Sequence, residues 1–303
     1  MVSILAAFRT GHPPDSISMP HPARTPAPFG LLLDVDGPIA HTATRAVRIP
    51  SITDDLAALA NAGVPVVFNT GRSDAFLAER VLPDMIDAGL RADAAVWGVC
   101  EKGATWFALA GGDAVAIGDV QVAEGLRPPQ ALIDECRALT EANADLIMWD
   151  GTKRTMISTE QRTDVTSERY LAFQPGFIER LDALIRRHGV ADAFRTAPNI
   201  IAVDVEHVSV GKALGADRAL AMLAERMPPP RLWRTAGDSR SDYAMADRLH
   251  ELGYEVEHLD VRPGEGVPEV PYRVIHSDPD DPDADEDAVT ARYLTRWRRE
   301  CGV

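Results

Sequence analysis

The chain has 303 residues, of which 31 are Lys or Arg and 46 are Asp or Glu, so its formal net charge is −15. This acidic surplus argues against binding to nucleic acid, because such binding needs a basic face that displaces counterions from phosphates. Hydrophobic residues make up 46% and charged residues 25%, the balance of a globular protein rather than a disordered one. At this length, two domains are more common than one.

The cysteines and the apolar segments predict a cytoplasmic protein that has no membrane partner. Cys100, Cys136 and Cys301 form no C-x-x-C pair, which excludes a disulfide framework and a zinc knuckle. The apolar run 2–8 has no basic flank before it, so it does not fit a signal peptide. It is also too short to span a bilayer.

Two segments are predicted to lie outside the packed structure. Residues 1–28 are interpreted as a flexible N-terminal arm, because 9–28 is rich in proline and poor in large apolar side chains. The run 278–287 holds seven carboxylates and no basic residue, a pattern typical of a solvated loop.

The first ordered segments form a strand, a helix and a second strand. Residues 29–33 are apolar and lead into Asp34, 51–62 have helical spacing, and 64–68 are apolar and lead into polar Asn69 and Thr70. Short apolar runs of this kind are typical of buried parallel strands. A right-handed βαβ unit places the polar ends of both strands at the same edge of a sheet.

Further along the chain, the pattern changes and then changes back. A helix over 74–88 and a strand over 94–99 continue the first pattern, whereas 103–205 contains alternating segments that predict antiparallel strands, with helices over 130–142 and 176–188. The first pattern then returns with a helix, three strands and a closing helix, at 212–226, 232–236, 254–261, 272–276 and 288–300. We therefore predict an α/β core that carries an inserted α+β domain.

Paired carboxylates follow two of the apolar strands. Asp34 and Asp36 lie two residues apart, and Asp238 and Asp242 follow the strand that ends near 236. Two buried carboxylates repel each other unless a cation lies between them, so a hard divalent metal fits this arrangement. Each pair taken alone also fits a simpler interpretation, a D-G turn for the first and a helix N-cap for the second.

The ordered set of motifs resembles that of the haloacid dehalogenase (HAD) superfamily. The matching residues are Asp34-Val-Asp36-Gly37, Thr70-Gly71-Arg72, Lys212 and Gly237-Asp238-x-x-x-Asp242. Lys212 follows Thr70 by 142 positions, which leaves room for a cap domain. This spacing and Glu101-Lys-Gly-Ala104 resemble subfamily IIB, which includes Cof-like, sucrose-phosphate and trehalose-phosphate phosphatases and phosphomannomutases.

The resemblance implies a fold and a division of the chain. The fold is α/β, with a Rossmann-like doubly wound parallel sheet as the core and an inserted α+β cap domain of the C2 type. Residues 29–103 and 206–303 then form the core domain, and 104–205 form the cap.

The resemblance also implies a role for each matching catalytic residue. Asp34 is the nucleophile that forms an aspartyl-phosphate, since a carboxylate can attack without first losing a proton. Asp36 protonates the leaving alcohol and then activates water. Thr70, Gly71, Arg72 and Lys212 bind the phosphoryl group, and Thr70 and Lys212 belong to the catalytic set with the two aspartates.

The cofactor implied by the resemblance is Mg²⁺. Its ligands are Asp34, the main-chain carbonyl of Asp36, and Asp238, with Asp242 in support, and all of them offer the oxygen atoms that magnesium prefers. Pro38 and Ser241 depart from the residues common in the family, Thr and Asn. These departures bear on fine tuning and on a supporting hydrogen bond.

Lysine usage supports the assignment of Lys212. Only three of the 31 basic residues are lysines, at 102, 153 and 212, so a lysine at the expected place indicates that a compact charge is required there. For Lys102 and Lys153 a surface position is the expectation. Cap residues that could contact substrate are Lys153, Arg154, Arg162, Arg195 and Asn199.

The function that the sequence predicts is a Mg²⁺-dependent phosphatase. Its partner is a small phosphorylated metabolite, with a sugar phosphate as the leading candidate, and we expect a monomer or a homodimer. A phosphomutase of the same fold and a non-catalytic phospholigand-binding protein remain alternatives.

Overall fold

The computed structural model describes residues 27–42, 44–276 and 285–303. The predicted arm, 1–28, lies outside the described residues except for its last two positions. The part of the acidic run at 278–284 also lies outside them.

Twelve strands form two separate sheets in the described residues. Their bounds, from β1 to β12, are Gly30–Leu33, Val66–Asn69, Val96–Cys100, Thr105–Ala108, Gln121–Val122, Ile147–Trp149, Ile157–Gln161, Phe194–Pro198, Ala202–His207, Leu232–Gly237, Glu255–Asp260 and Arg273–His276. The larger sheet has the order β12-β11-β10-β1-β2-β3-β4-β5, and the smaller has the order β6-β7-β9-β8. The strands predicted near 29–33, 64–70, 94–99 and 232–236 all form.

Eight α-helices cover these sheets in the same residues. Their bounds, from α1 to α8, are Pro50–Asn61, Asp74–Arg80, Leu82–Asp87, Gln130–Glu141, Ser167–Arg187, Lys212–Ala224, Tyr243–Glu251 and Glu286–Glu300. None of them combines the length and the apolar character needed to cross a bilayer.

The larger sheet is wound on both faces. Strands β12 to β3 run parallel, and their side chains alternate between two apolar clusters. Leu31 and Leu33 pack with α1, α2, α3 and α8, whereas Leu32 faces the cluster that contains α6 and α7. Because both faces of the sheet are covered, each strand needs apolar side chains on both sides, which accounts for the short apolar runs in the sequence. The Rossmann-like core is confirmed.

The smaller sheet is antiparallel throughout, and α4 and α5 cover one face of it. Within the range 104–205 assigned to the cap, β4 and β5 instead pair antiparallel next to β3 and extend the larger sheet. We use the name cap below for the smaller sheet together with α4 and α5.

Three of the predicted elements take a different form in the structure. The helix expected over 74–88 breaks at Val81 into α2 and α3, and a proline lies in the first turn of α3 because its missing N–H costs nothing there. Helix α5 begins at Ser167, since Thr166 caps it, and it continues through Pro175. Near 114–117 only one isolated bridge forms, between Leu109 and Ile117.

A pair of helical glycines tests the close approach of α6 to β2. A Cβ atom at Gly215 would overlap the side-chain amide of Asn69, whereas a Cβ at Gly176 in α5 would meet no atom within 4 Å. We expect Gly215→Ala to lower the free energy of unfolding by about 1–3 kcal/mol through overpacking. Gly176→Ala should raise it by about 0.5–1 kcal/mol, because alanine favours the helix. Urea titrations of both variants measure this, and equal effects would contradict the packing.

Candidate active site

The polar ends of the parallel strands meet at one edge of the larger sheet. Asp34 follows β1, Thr70 follows β2, and Asp238 follows β10. The chain turns sharply after Asp36 at Gly37, whose φ is +87°. A Cβ there would lie 2.7 Å from the Cβ of Asp238, so only glycine fits the close approach of the two loops.

Lys212, the first residue of α6, joins three of these segments. Its Nζ lies 2.7 Å from Oδ1 of Asp34 and 2.7 Å from Oδ1 of Asp242, and it donates to the main-chain oxygen of Asn69 at 2.8 Å. The Asn69 side chain returns a hydrogen bond to the Lys212 carbonyl at 3.0 Å. The ammonium therefore lies among three oxygen atoms, each within 2.8 Å, and these contacts hold the side chain in place.

The ammonium of Lys212 does not have the same effect on the pKa values of its two buried carboxyl partners, Asp34 and Asp242. Burial raises the pKa of Asp34 well above its usual range, more than Lys212 lowers it. Burial also acts on Asp242, but Lys212 and Ser239 outweigh it and lower the pKa of that carboxyl. Burial opposes the charge of Lys212, yet Asp242 and Asp34 raise the pKa of its ammonium. Lys212 stays charged, and Asp242 is the better stabilised anion.

Asp242 is fixed by the short 3-10 turn Arg240–Asp242. Its Oδ2 accepts hydrogen bonds from the main-chain N–H groups of Asp238 and Ser239 and from the Ser239 hydroxyl, at 3.2, 3.0 and 2.8 Å. This is a capping box. The N-cap interpretation and the site interpretation of this motif are therefore compatible, because one carboxylate oxygen of Asp242 caps the turn and the other contacts Lys212.

Asp34, Asp238 and Asp242 bring carboxylate oxygens within 4.8 Å of one another. Within the residues that the structure describes, Arg262 also contacts the cluster, and its Nη2 lies 2.8 Å from Oδ2 of Asp238. Burial, helped by Asp242, raises the pKa of Asp238 to about 7, which indicates a shortage of positive charge. An all-oxygen donor set with this shortage fits Mg²⁺.

Asp36 does not join this cluster through its side chain. The guanidinium of Arg72 donates from Nε to Asp36 Oδ2 at 2.9 Å and from Nη2 to Oδ1 at 2.9 Å. The Nη1 group of Arg72 lies 3.1 Å from the cap residue Glu160. Arg72, expected to bind phosphate, therefore holds two carboxylates in this structure, and the role of the Asp36 main-chain carbonyl at the metal stays a prediction.

Thr70 and Gly71 form the base of the site. Thr70 is fully buried, and its hydroxyl accepts the main-chain N–H of Arg72 at 3.0 Å, so its proton is available to another acceptor. The carbonyl of Gly71 accepts a hydrogen bond from the cap residue Lys153. Their roles in phosphate binding stay predictions.

A cavity of about 250 Å³ lies between the core edge and the cap. The core side is lined by residues from the five loops that follow β1, β2, β3, β10 and β11, and the cap side is lined by polar residues and a short apolar stretch. The lining is Asp36, Thr42, Gly71, Arg72, Lys102, Lys153, Ser158, Glu160, Asn199, Ile200, Ile201, Ala202, Asp204, Asp238, Ser239 and Arg262.

The cap residues named from the sequence separate into two groups. Lys153 and Asn199 line the cavity, whereas the three arginines form ion pairs with carboxylates elsewhere. Those pairs are Arg154 with Asp74, Arg162 with Asp164, and Arg195 with Glu206.

The expectation that Lys102 and Lys153 are surface residues was wrong. Both are partly buried at the cavity, and Lys102 forms an ion pair with Glu206 of the cap. Lys102 contacts an acceptor in the cap, and Lys153 contacts the main-chain carbonyl of Gly71 in the core. These contacts, like those of Lys212, suit a compact cation.

Sequence reasoning missed three site residues. Arg262 contacts Asp238, Glu286 accepts from Arg262 at 3.2 Å and from Thr42 at 2.9 Å, and Glu160 contacts Arg72. Glu286 belongs to the acidic run that was interpreted as a solvated loop, yet it lies in the first turn of α8. Because Glu286 lies in a run of carboxylates, the sequence does not distinguish it from its neighbours, and its contacts could not be predicted.

Comparison with known proteins identifies the fold. No protein-family model and no curated protein sequence matches the chain. Among solved structures, the C-terminal domain of C. albicans trehalose-6-phosphate phosphatase aligns with a TM-score of 0.59 and 12% identity over 89% of this chain and 92% of that one. A haloacid dehalogenase-like hydrolase from Bacteroides thetaiotaomicron aligns with a TM-score of 0.54 and 12% identity over 89% and 99%. The predicted fold class, a Rossmann-like core with an α+β cap, is confirmed as a fold that this chain shares with these structures, and the C2 subclass stays a prediction.

Lys212→Met tests the electrostatic balance of the site in metal-free protein. The variant leaves two buried carboxylates without their shared cation, so we expect the free energy of unfolding to fall by about 3–5 kcal/mol. The control is Arg91→Met, which removes an exposed ion pair with Asp93 and should cost less than about 1 kcal/mol. Urea unfolding in the presence of a chelator measures both, and similar losses would contradict a central role for Lys212.

Proposed function

We propose that this protein is a Mg²⁺-dependent phosphatase that hydrolyses a small phosphorylated metabolite through an aspartyl-phosphate on Asp34. One observation supports this most strongly. A buried carboxylate, a buried ammonium and two further carboxylates converge at the carboxyl edge of a parallel sheet, beside a cavity that the cap covers. The HAD-like fold of the chain agrees with this chemistry.

In the first step, Asp34 attacks phosphorus. The polar contacts of its carboxylate within the described residues end on Oδ1, from Lys212 and from the N–H of Val35, so Oδ2 is available for the attack. The new bond joins Oδ2 to phosphorus while the bond from phosphorus to the substrate oxygen breaks. Lys212 stabilises the negative charge that develops on the phosphoryl oxygens.

Asp36 handles the protons of both steps. It gives a proton to the departing alkoxide, which leaves as an alcohol, and it then accepts a proton from the water that attacks the aspartyl-phosphate. Hydrolysis restores the Asp34 carboxylate and releases inorganic phosphate. The cap keeps bulk water away from the site until the alcohol has left.

Asp34, Asp238 and Asp242 would hold Mg²⁺, together with the main-chain carbonyl of Asp36. When bound, the ion neutralises charge on the phosphoryl oxygens. The surplus of carboxylates over cations in the cluster supports this assignment.

The cavity lining favours a polar leaving group. Lys153, Asn199, Asp204 and Ser158 offer hydrogen-bond donors and acceptors from the cap, and a sugar or another polyol has the hydroxyl groups to match them. A sugar phosphate is therefore the leading substrate class, as the resemblance implies.

The first test is the nucleophile. With Mg²⁺ present we expect the protein to release inorganic phosphate from p-nitrophenyl phosphate, and Asp34→Asn to lower the rate by about 10³-fold or more because the amide cannot form the intermediate. Equal rates in the variant would overturn the assignment. Formation of an isomerised sugar phosphate without free phosphate would instead indicate a mutase.

Arg262 provides a second test, on metal affinity. Its guanidinium occupies Oδ2 of Asp238, so we expect Arg262→Gln to bind Mg²⁺ about fivefold more tightly, as the loss of one partly exposed ion pair allows. Isothermal titration calorimetry measures this directly. Arg273→Gln is the matched control, since Arg273 pairs with Glu257, away from the cluster. Weaker binding in Arg262→Gln would show that the arginine orients Asp238 and does not compete with the ion.

A further inference from the structure

Four charged side chains alternate in sign across the boundary between core and cap. Arg45 lies 2.6 Å from one oxygen of Glu160, and Arg72 lies 3.1 Å from the other oxygen. Arg72 in turn contacts both oxygens of Asp36. Only Glu160 of the four comes from the cap, where it lies on β7.

The central pair of this set is well shielded from solvent, whereas the outer members Arg45 and Asp36 are 24% and 32% exposed. The side chain of Glu160 is 11% exposed and that of Arg72 is 12% exposed, so their attraction is screened less than that of a surface pair. The Arg72 guanidinium also lies 4.8 Å from the centre of the Phe76 ring. Arg72 therefore has one defined orientation, and Glu160 is the part of that environment that the cap supplies.

The Arg72–Glu160 pair also borders two cavities. Both residues line the cavity of about 250 Å³ at the candidate active site, and both line a second cavity of about 500 Å³ between α2 and the cap. The pair thus belongs to the lining of both cavities, and Asp36 lines the smaller one.

We propose that Glu160 is a positioning residue for leaving-group protonation: through Arg72 it holds the Asp36 carboxyl group in place, and it does so only when the cap is closed. This inference rests on the proposed phosphatase function and adds a link between cap position and proton transfer. Without Glu160, the Nη1 group of Arg72 loses its charged partner. The guanidinium, which binds Asp36 through Nε and Nη2, is then free to rotate away from it.

The choice of leaving group distinguishes this role from a purely structural one. The p-nitrophenolate ion leaves without a proton, whereas the alkoxide of glycerol 2-phosphate needs one from a general acid. A defect in cap closure slows both substrates alike. A misplaced Asp36 slows glycerol 2-phosphate far more than p-nitrophenyl phosphate.

The experiment measures kcat and KM of the full chain and of Glu160→Gln with both substrates and Mg²⁺. We expect kcat for glycerol 2-phosphate to fall about tenfold or more relative to kcat for p-nitrophenyl phosphate, with a smaller change in KM. Glu160→Asp, which keeps the charge, should recover part of the lost ratio.

Glu206→Gln is the matched control. Glu206 also joins the cap to the core, through Lys102, but it does not contact Arg72 or Asp36, so its variant should leave the ratio of the two rates unchanged. An unchanged ratio in Glu160→Gln, or an equal change in Glu206→Gln, overturns the inference. Thermal unfolding of each variant shows that it is folded. If the unmodified protein hydrolyses neither substrate, the proposed function itself fails.

Discussion

The rest of the structure depends on the burial of one ammonium group among carboxylates. The ammonium of Lys212 contacts Asp34 and Asp242, in the segments that follow β1 and β10, and the main-chain oxygen of Asn69 at the end of β2. Burying a charge costs several kcal/mol unless its partners are in place. The register of these strands and the position of α6 must therefore bring the acceptors and the ammonium to the same point. Gly215 allows α6 to approach Asn69 closely enough for this.

The sequence predicts the components of this site better than it predicts their neighbours. Asp34 and Asp238 could be placed because each follows an apolar run, and parallel strands bring such ends to the same edge. Strands β4 and β5 could not be assigned to a sheet, because alternation shows one exposed face but not the partner strand. Contacts of Arg262 and Glu160 could not be found, since charged residues are common and their partners lie far away in the chain.

The junction between core and cap contains a conformation that the sequence does not reveal. Glu101 and Lys102 have φ values of +47° and +56°, which cost of order 1–3 kcal/mol each for residues with a side chain. The strain is opposed by hydrogen bonds that the buried Glu101 carboxylate accepts from the main-chain N–H groups of 154–156. The N–H of Lys102 also donates to the carbonyl of Thr70. One loop thus ties the cap to the segment that begins at Thr70.

The contacts across the boundary of core and cap are mostly polar, and this has a consequence for catalysis. Charged groups such as those of Arg154 with Asp74 and Lys102 with Glu206 bind water when an interface opens, whereas opening an apolar interface of the same area exposes surface to water at a cost that rises with the area. In the proposed phosphatase, the cap would separate to admit substrate and close to exclude water. Asp36 is the acid in that proposal, and Glu160 of the cap acts on it through Arg72. One motion of the cap would then govern both the orientation of the acid and the exclusion of water.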